Sequence, residues 1–162
     1  MAYAIRPYAD GDAEALSLVT LAAIATIGPA AYSQEQVAAW SARHIQPERI
    51  AGRVAAGDHI FVAVDNDDRP VAYVLLEKDG HVDMLYSHPD HSRLGLAGQL
   101  LAAAETKART LGAARLYTEA SELARPAFER AGYQMDERRD FTIEHGNRSV
   151  PIHNYAMTKA IA

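Results

Sequence analysis

The stretch best equipped for chemistry is Tyr86-Ser-His-Pro-Asp-His-Ser-Arg-Leu-Gly-Leu-Ala-Gly-Gln-Leu-Leu101. Alternating apolar residues before it read as a strand. Leucines and alanines at helical spacing after it read as a helix, so a loop and Gly95, Ala97 and Gly98 open that helix. Small residues let a backbone approach a ligand closely. The first amides of a helix have no internal partner and share the positive end of its dipole, which suits phosphate. Each dipole contribution is only about 0.3–1 kcal/mol at an exposed site, so several amides must act together. A tight turn is the plain alternative. No G-x-G-x-x-G is present and the preceding strands form a meander, so a dinucleotide-binding unit is not expected.

Groups suited to acid–base work flank this segment. His81 and Asp83 alternate along the strand and are expected on one face. A histidine titrates near neutrality and can serve as a base. Against that stands a solvated strand end just after the Asp79-Gly80 turn. Glu119, on a neighbouring strand, is a second carboxylate. His88 and His91 flank Pro89-Asp90, but two loop histidines without a third placed ligand do not make a metal site, and none is expected. Cysteine is absent, which excludes disulfides, thiolate metal sites and a cysteine nucleophile.

The elements that must hold these groups follow from spacing. A strand over 3–7 leads to a helix over 12–26, capped by Asp10 or Asp12 and ended by Gly28-Pro29. Ser33 and Gln36 have the spacing of a capping box for a second helix. A third covers 48–56. Strands over 59–64, 71–76 and 81–87 form an antiparallel meander with a turn at Asp79-Gly80. A helix over 95–111 carries Leu96, Leu100, Ala104, Ala108 and Leu111 on one stripe. A strand at 115–120, a helix at 122–131 and strands at 133–144 and 150–158 complete a mixed α/β sheet. The 162 residues suit one domain spanning 1–162. With 49% apolar and 23% charged residues, the chain reads as an ordinary soluble globular protein. No signal peptide or membrane span is expected, and a cytoplasmic location is. A net charge of −5 lacks the basic footprint of a nucleic-acid binder and gently favours a cationic partner.

The segment His-Pro-Asp-x-x-x-x-Gly-x-Ala-x-x-Leu-Leu resembles the cofactor-binding motif of the GNAT N-acetyltransferase superfamily. Ala124-Arg-Pro-Ala-Phe-Glu-Arg-Ala-Gly-Tyr133 resembles its later motif, and Ile5-Arg6-Pro7 with Asp10 and Asp12 is similar to its opening. The spacing Tyr32-x-x-x-Gln36-x-x-x-Trp40 is similar to that of a bacterial subgroup of undefined substrate. The resemblance covers nearly the whole chain. It implies an α+β fold whose central sheet has about seven strands, with splayed parallel strands 4 and 5 and flanking helices.

It also implies acetyl-CoA as cosubstrate. Its pyrophosphate would sit on Ser92, Arg93, Leu94, Gly95, Leu96 and Ala97, with Gly98 behind them. The pantetheine arm would lie between the strands at 81–87 and 115–120. A bulge at Leu85, Tyr86 and Ser87 would polarise the thioester carbonyl. Ser121 and Phe128 would complete the cofactor site. His81 would take the place of the family's general base, and Asp83 would orient its imidazole or bind the amine. Tyr32 and Trp40 would wall the acceptor site with Glu119, although core packing is an equal reading of the two aromatics.

Two positions depart from the family pattern. Ser92 replaces the usual Gln or Arg, with Arg93 next door. Phe128 stands where a tyrosine commonly protonates the leaving thiolate. Tyr133, Tyr86, Tyr155 or water would have to serve, or no acid is needed. The expected activity is transfer of acetyl to a small-molecule or peptide primary amine by direct attack in a ternary complex. An acyl-CoA-binding module without turnover is the alternative. The terminal hairpin could pair across a homodimer.

Overall fold

The computed structural model describes residues 2–162. Strand β1 (Ala4–Pro7) leads into helix α1 (Ala13–Ile27), a one-turn 3-10 helix, α2 (Gln34–Ala42) and α3 (Glu48–Ala55). The meander follows as β2 (His59–Val64), β3 (Pro70–Leu76) and β4 (Val82–Ser87). Then come α4 (Leu96–Thr110), β5 (Arg115–Ala120), α5 (Arg125–Arg130), β6 (Gln134–His145) and β7 (Arg148–Ala160).

The single mixed sheet expected from the sequence is replaced by two antiparallel sheets, ordered β1-β2-β3-β4 and β5-β7-β6. They touch where β4 begins, against the middle of β5. His81 forms one parallel bridge with Tyr117, Tyr117 N–H donates to Gly80 O at 3.1 Å, and Thr118 Oγ1 donates to Val82 O at 2.7 Å. Beyond that point the two edges carry no ladder to each other, so the strands splay. His81 therefore precedes β4 rather than opening it. Gly80 (φ +101°) packs so closely that a Cβ there would stand 2.2 Å from Arg115 O, so this joint requires glycine.

The β4 bulge also moves. Val82 pairs with Leu76 and Met84 with Leu75, which leaves Asp83 as the extra residue, while Leu85, Tyr86 and Ser87 pair regularly. The extra residue flips the parity of the strand. Val82 joins the core under α4 with Leu96, Leu100 and Leu116, and Met84 the opposite core with Leu16, Val19 and Tyr73. Tyr32, Ala39, Ile143, Val150 and Ile152 form a third cluster between α2 and the terminal hairpin.

Local signals hold in most places. The capping box forms, with Gln36 N donating to Ser33 Oγ at 3.1 Å and Ser33 N to Gln36 Oε1 at 2.8 Å. The Asp12 carboxylate instead takes Arg6 and Ala9 N and leaves α1 without a side-chain cap. Helix α4 ends before Leu111, which is exposed. Helix α5 is shorter than expected because Pro126 lies in its first turn. One helix bears on the expectation that no segment spans a membrane. Ala13–Ala30 is long and apolar enough to span, with a mean hydropathy of 1.5. Here it is a core helix and its following turn, with Leu16, Val19, Ala23 and Ile24 buried.

Candidate active site

Two cavities flank the opening between the sheets, of about 610 Å³ and 390 Å³. Tyr86 and Ser87, adjacent in β4, line one each, as do Phe128 and Ala127 in α5.

The smaller cavity is built on the start of α4. The first bond of the helix runs from Gln99 N to Gly95 O at 3.2 Å, so the amides of Leu96, Ala97 and Gly98 precede the ladder. Arg93 (φ 61°) and Gly95 (φ 79°) are both left-handed. Such strain in a non-glycine residue costs about 1–2 kcal/mol and needs a reason. A Cβ on Gly95 or Gly98 would meet no protein atom within 4 Å. Ser87, Ser92, Arg93, Gly95, Leu96, Ala97 and Gly98 line this cavity, while Leu94 is 53% exposed outside it. Ser92 Oγ donates to Pro89 O at 2.9 Å and so braces the loop.

Tyr133, expected as an acid, also lines the smaller cavity. It is 3% exposed, and its hydroxyl is the one buried side-chain polar atom without a partner among the described residues. Burial raises its pKa further out of reach of proton transfer. An orphaned buried hydroxyl costs about 1–3 kcal/mol. Tyr133→Phe is therefore expected to raise the melting temperature of the free protein. It should also weaken any ligand that bonds this oxygen, as thermal melts with and without ligand would read.

The larger cavity brings together Tyr32, Trp40, Asp83, Leu85, Tyr86, Glu119, Ser121 and Phe128. Tyr32 anchors the end of β5, since its hydroxyl accepts from Glu122 N at 2.8 Å and donates to His153 O at 3.1 Å. Trp40 Nε1 donates to Tyr86 Oη at 3.2 Å. Burial, with the Asp83 charge, pushes Tyr86 up to about 12 against the opposing pull of the Trp40 hydrogen bond, Arg43 and Arg49. Tyr155 lines neither cavity and spends its proton on Glu122 at 2.7 Å. Phe128 packs edge-on against Tyr133 at 5.0 Å.

His81 lines neither cavity. One ring nitrogen meets Glu77, the other bonds Glu119 Oε1 at 2.8 Å, and the ring stacks on Tyr117 at 4.7 Å. Burial opposes its charge, but Glu119 and Glu77 outweigh burial and lift its pKa to about 9. At neutral pH it is an imidazolium with both nitrogens occupied, not a free base. Asp83 does come close, within 4.8 Å of the Glu77 and His81 ligand atoms, but bonds Arg53 at 2.7 Å.

Sequence reasoning missed His44, Arg43, Arg49, Arg139 and His153 in the larger cavity. Nothing in their spacing marks them, because α2, α3 and the terminal hairpin meet only in the fold. His44 is pulled down to about 4, first by burial and then by Arg49 and Arg43. The two histidines act on stability in opposite directions. His81 binds its proton more tightly when folded, so its contribution is full below about 6.5 and lost as pH rises through about 9. His44 binds it more weakly when folded, so stability falls as pH drops from about 6.5 towards 4. Melting temperature should peak near pH 6.5, and His81→Gln should flatten the alkaline limb only, as a pH series of melts would show.

Two opposed sheets thus open over a glycine-marked helix start. A family model described as "Acetyltransferase (GNAT) domain" matches residues 29–153, and the chain belongs to the GNAT N-acetyltransferase family. The relative named uncharacterized N-acetyltransferase YafP, of Escherichia coli K12, is 31% identical over 130 residues, 80% of each chain. A crystal structure from Rhodopseudomonas palustris, described as a GCN5-related N-acetyltransferase and class-II aminotransferase, is 30% identical. It has a TM-score of 0.87 and covers 99% of this chain and 97% of that one. The PaiA N-acetyltransferase of Thermoplasma acidophilum, solved with coenzyme A, shares the fold. Its TM-score is 0.78 at 16% identity, over 99% of this chain and 100% of that one.

Proposed function

We propose that the protein transfers acetyl from acetyl-CoA to a primary amine by direct attack, with both substrates bound at once. The observation that carries this is the pair of cavities on either side of one opening, with Tyr86–Ser87 and Ala127–Phe128 shared between them. When bound, acetyl-CoA supplies an activated acyl carbon as a thioester.

The smaller cavity fits the cofactor's phosphates. The free amides of Leu96, Ala97 and Gly98 offer donors, Arg93 and Arg130 offer charge, and the Tyr133 hydroxyl lacks a partner. In this reading Tyr133 binds cofactor instead of donating a proton in catalysis. The facing edges of β4 and β5 carry backbone groups that no ladder satisfies, which suits the amides of a pantetheine arm. Ser121 and Phe128 border the same gap from the larger cavity.

Acid–base work falls to Glu119. It lines the larger cavity, and the imidazolium of His81 holds it in place. His81 is thus a positioning residue, and Asp83, tied to Arg53, faces the amine beside Glu119. A lysine-like amine is mostly protonated at pH 7, so it must reach the site neutral. Once it attacks, its nitrogen becomes strongly acidic, and a carboxylate can take the proton. No side-chain acid is assigned to the leaving thiolate, because Phe128 cannot donate and a thiol is a tolerable leaving group near neutral pH. Without cysteine no cysteine-bound acyl enzyme can form.

The test is titration calorimetry with acetyl-CoA, then thiol release with a panel of amines. Micromolar binding and amine-dependent release support the reading. Binding without release under every amine would leave an acyl-CoA-binding module, and no binding would remove the cofactor assignment.

A further inference from the structure

We propose that the acceptor carries a carboxylate besides its amine, held by Arg43 and Arg49 at the rim of the larger cavity, with Arg139 on the β6 wall. This rests on the acetyl-transfer reading and names the acceptor class for the same site.

Seven of the chain's thirteen arginines form ion pairs, and none of those seven lines either of the two cavities described above. Among the described residues six arginines have no carboxylate partner. Five of these line a cavity: Arg93 and Arg130 the smaller, Arg43, Arg49 and Arg139 the larger. The sixth, Arg115, lies over the Tyr117 ring at 4.9 Å. Free guanidinium groups are thus gathered where ligands would enter.

The carboxylates of the larger cavity have partners other than these three arginines. Asp83 bonds Arg53 at 2.7 Å, Glu119 bonds His81 at 2.8 Å, and Glu144 accepts from the Ser149 hydroxyl at 2.5 Å. The cations have only neutral partners. Arg49 donates one nitrogen to the Arg43 carbonyl oxygen, and Arg139 donates to Asn154 Oδ1 at 3.3 Å. Both Arg43 and Arg49 also act on His44 and Tyr86, which places their positive potential together at this end of the cavity. A guanidinium fork matches a carboxylate in a way that an ammonium or hydroxyl does not. Asp83 and Glu119 would face the amine, so the site is bipolar and suits a zwitterion. The net charge of −5, which favoured a cationic partner, is a whole-surface property and does not describe this rim.

The experiment compares matched acceptors by thiol release: free amino acids, the primary amides of the same amino acids, and the amines left by removing the carboxylate. Acetyl-CoA titration of the same preparation comes first. The expected result is a kcat/KM for the best acid roughly tenfold or more above its amide, as one charge-assisted contact supplies. In Arg43→Gln/Arg49→Gln that ratio should fall towards one, through KM for the acid, with acetyl-CoA affinity unmoved. Equal or reversed preference, turnover confined to uncharged amines, or no turnover with any member of the panel overturns the inference. So does a ratio unchanged in the double variant. Failure to bind acetyl-CoA is separate, since it removes the underlying reading before any acceptor is added.

Discussion

Gly98→Leu is expected to abolish measurable acetyl-CoA binding while leaving the protein at least as stable as its parent. Gly98 lies in the first turn of α4, lines the smaller cavity, and has no protein atom within 4 Å of where a Cβ would stand. Its φ is an ordinary helical one, so a side chain brings no backbone strain. In a helix interior leucine is better than glycine by somewhat under about 1 kcal/mol, so the melting temperature should hold or rise. Those four carbons would occupy the space in front of the free amides. Forcing a ligand against them costs about 3 kcal/mol or more, which is roughly a hundredfold in affinity. Gly95→Val is the companion variant. At φ 79° it carries strain as well as bulk, so it should lose both affinity and stability. Unchanged titration heats in Gly98→Leu would mean that the smaller cavity is not the cofactor site.

Glu119→Gln should lower kcat by about a hundredfold, within the range expected for removing a general base. Glutamine keeps the shape and still accepts from the His81 ring, so the loss would be one of basicity rather than packing. Affinity for acetyl-CoA should not change, because Glu119 does not line the smaller cavity. The signature lies in the split: kcat falls, while the calorimetric Kd for acetyl-CoA stays within about twofold, well under the tenfold that 1.4 kcal/mol would produce. Parent-like turnover in this variant would take the base role away from Glu119 and return attention to Asp83. His81→Gln should have a milder effect on rate, since it acts through Glu119, and should carry the alkaline stability change described above.

Local signals carried much of this protein in the sequence. The Ser33–Gln36 cap, the meander with its Asp79-Gly80 turn, and the stripe on α4 depend on residues a few positions apart. Short-range hydrogen bonds and side-chain periodicity decide them, so they can be read along the chain. The small residues at Gly95, Ala97 and Gly98 were legible for the same reason, because a helix start is a local object. Asp83 and Glu119 stood out in the sequence as candidate carboxylates, though their neighbours did not.

The tertiary structure alone decided what each charged group faces. His81 looked like a base until Glu77 and Glu119 closed on both its nitrogens, and no pattern along the chain encodes a contact 38 positions away. Tyr133 looked like an acid until the fold set it against the other cavity with its hydroxyl buried and unpartnered. The bulge settled at Asp83, where the β3–β4 register slips, and not at Leu85–Ser87. Two sheets formed instead of one, since β4 and β5 are joined only where Gly80–Val82 meets Tyr117–Thr118 and then diverge. Arg43, Arg49 and Arg139 became a set only when α2, α3 and β6 met around one cavity. The physical reason is common to all of these. Backbone conformation answers to near neighbours, whereas the electrostatics of a site sums over side chains brought together from distant parts of the chain.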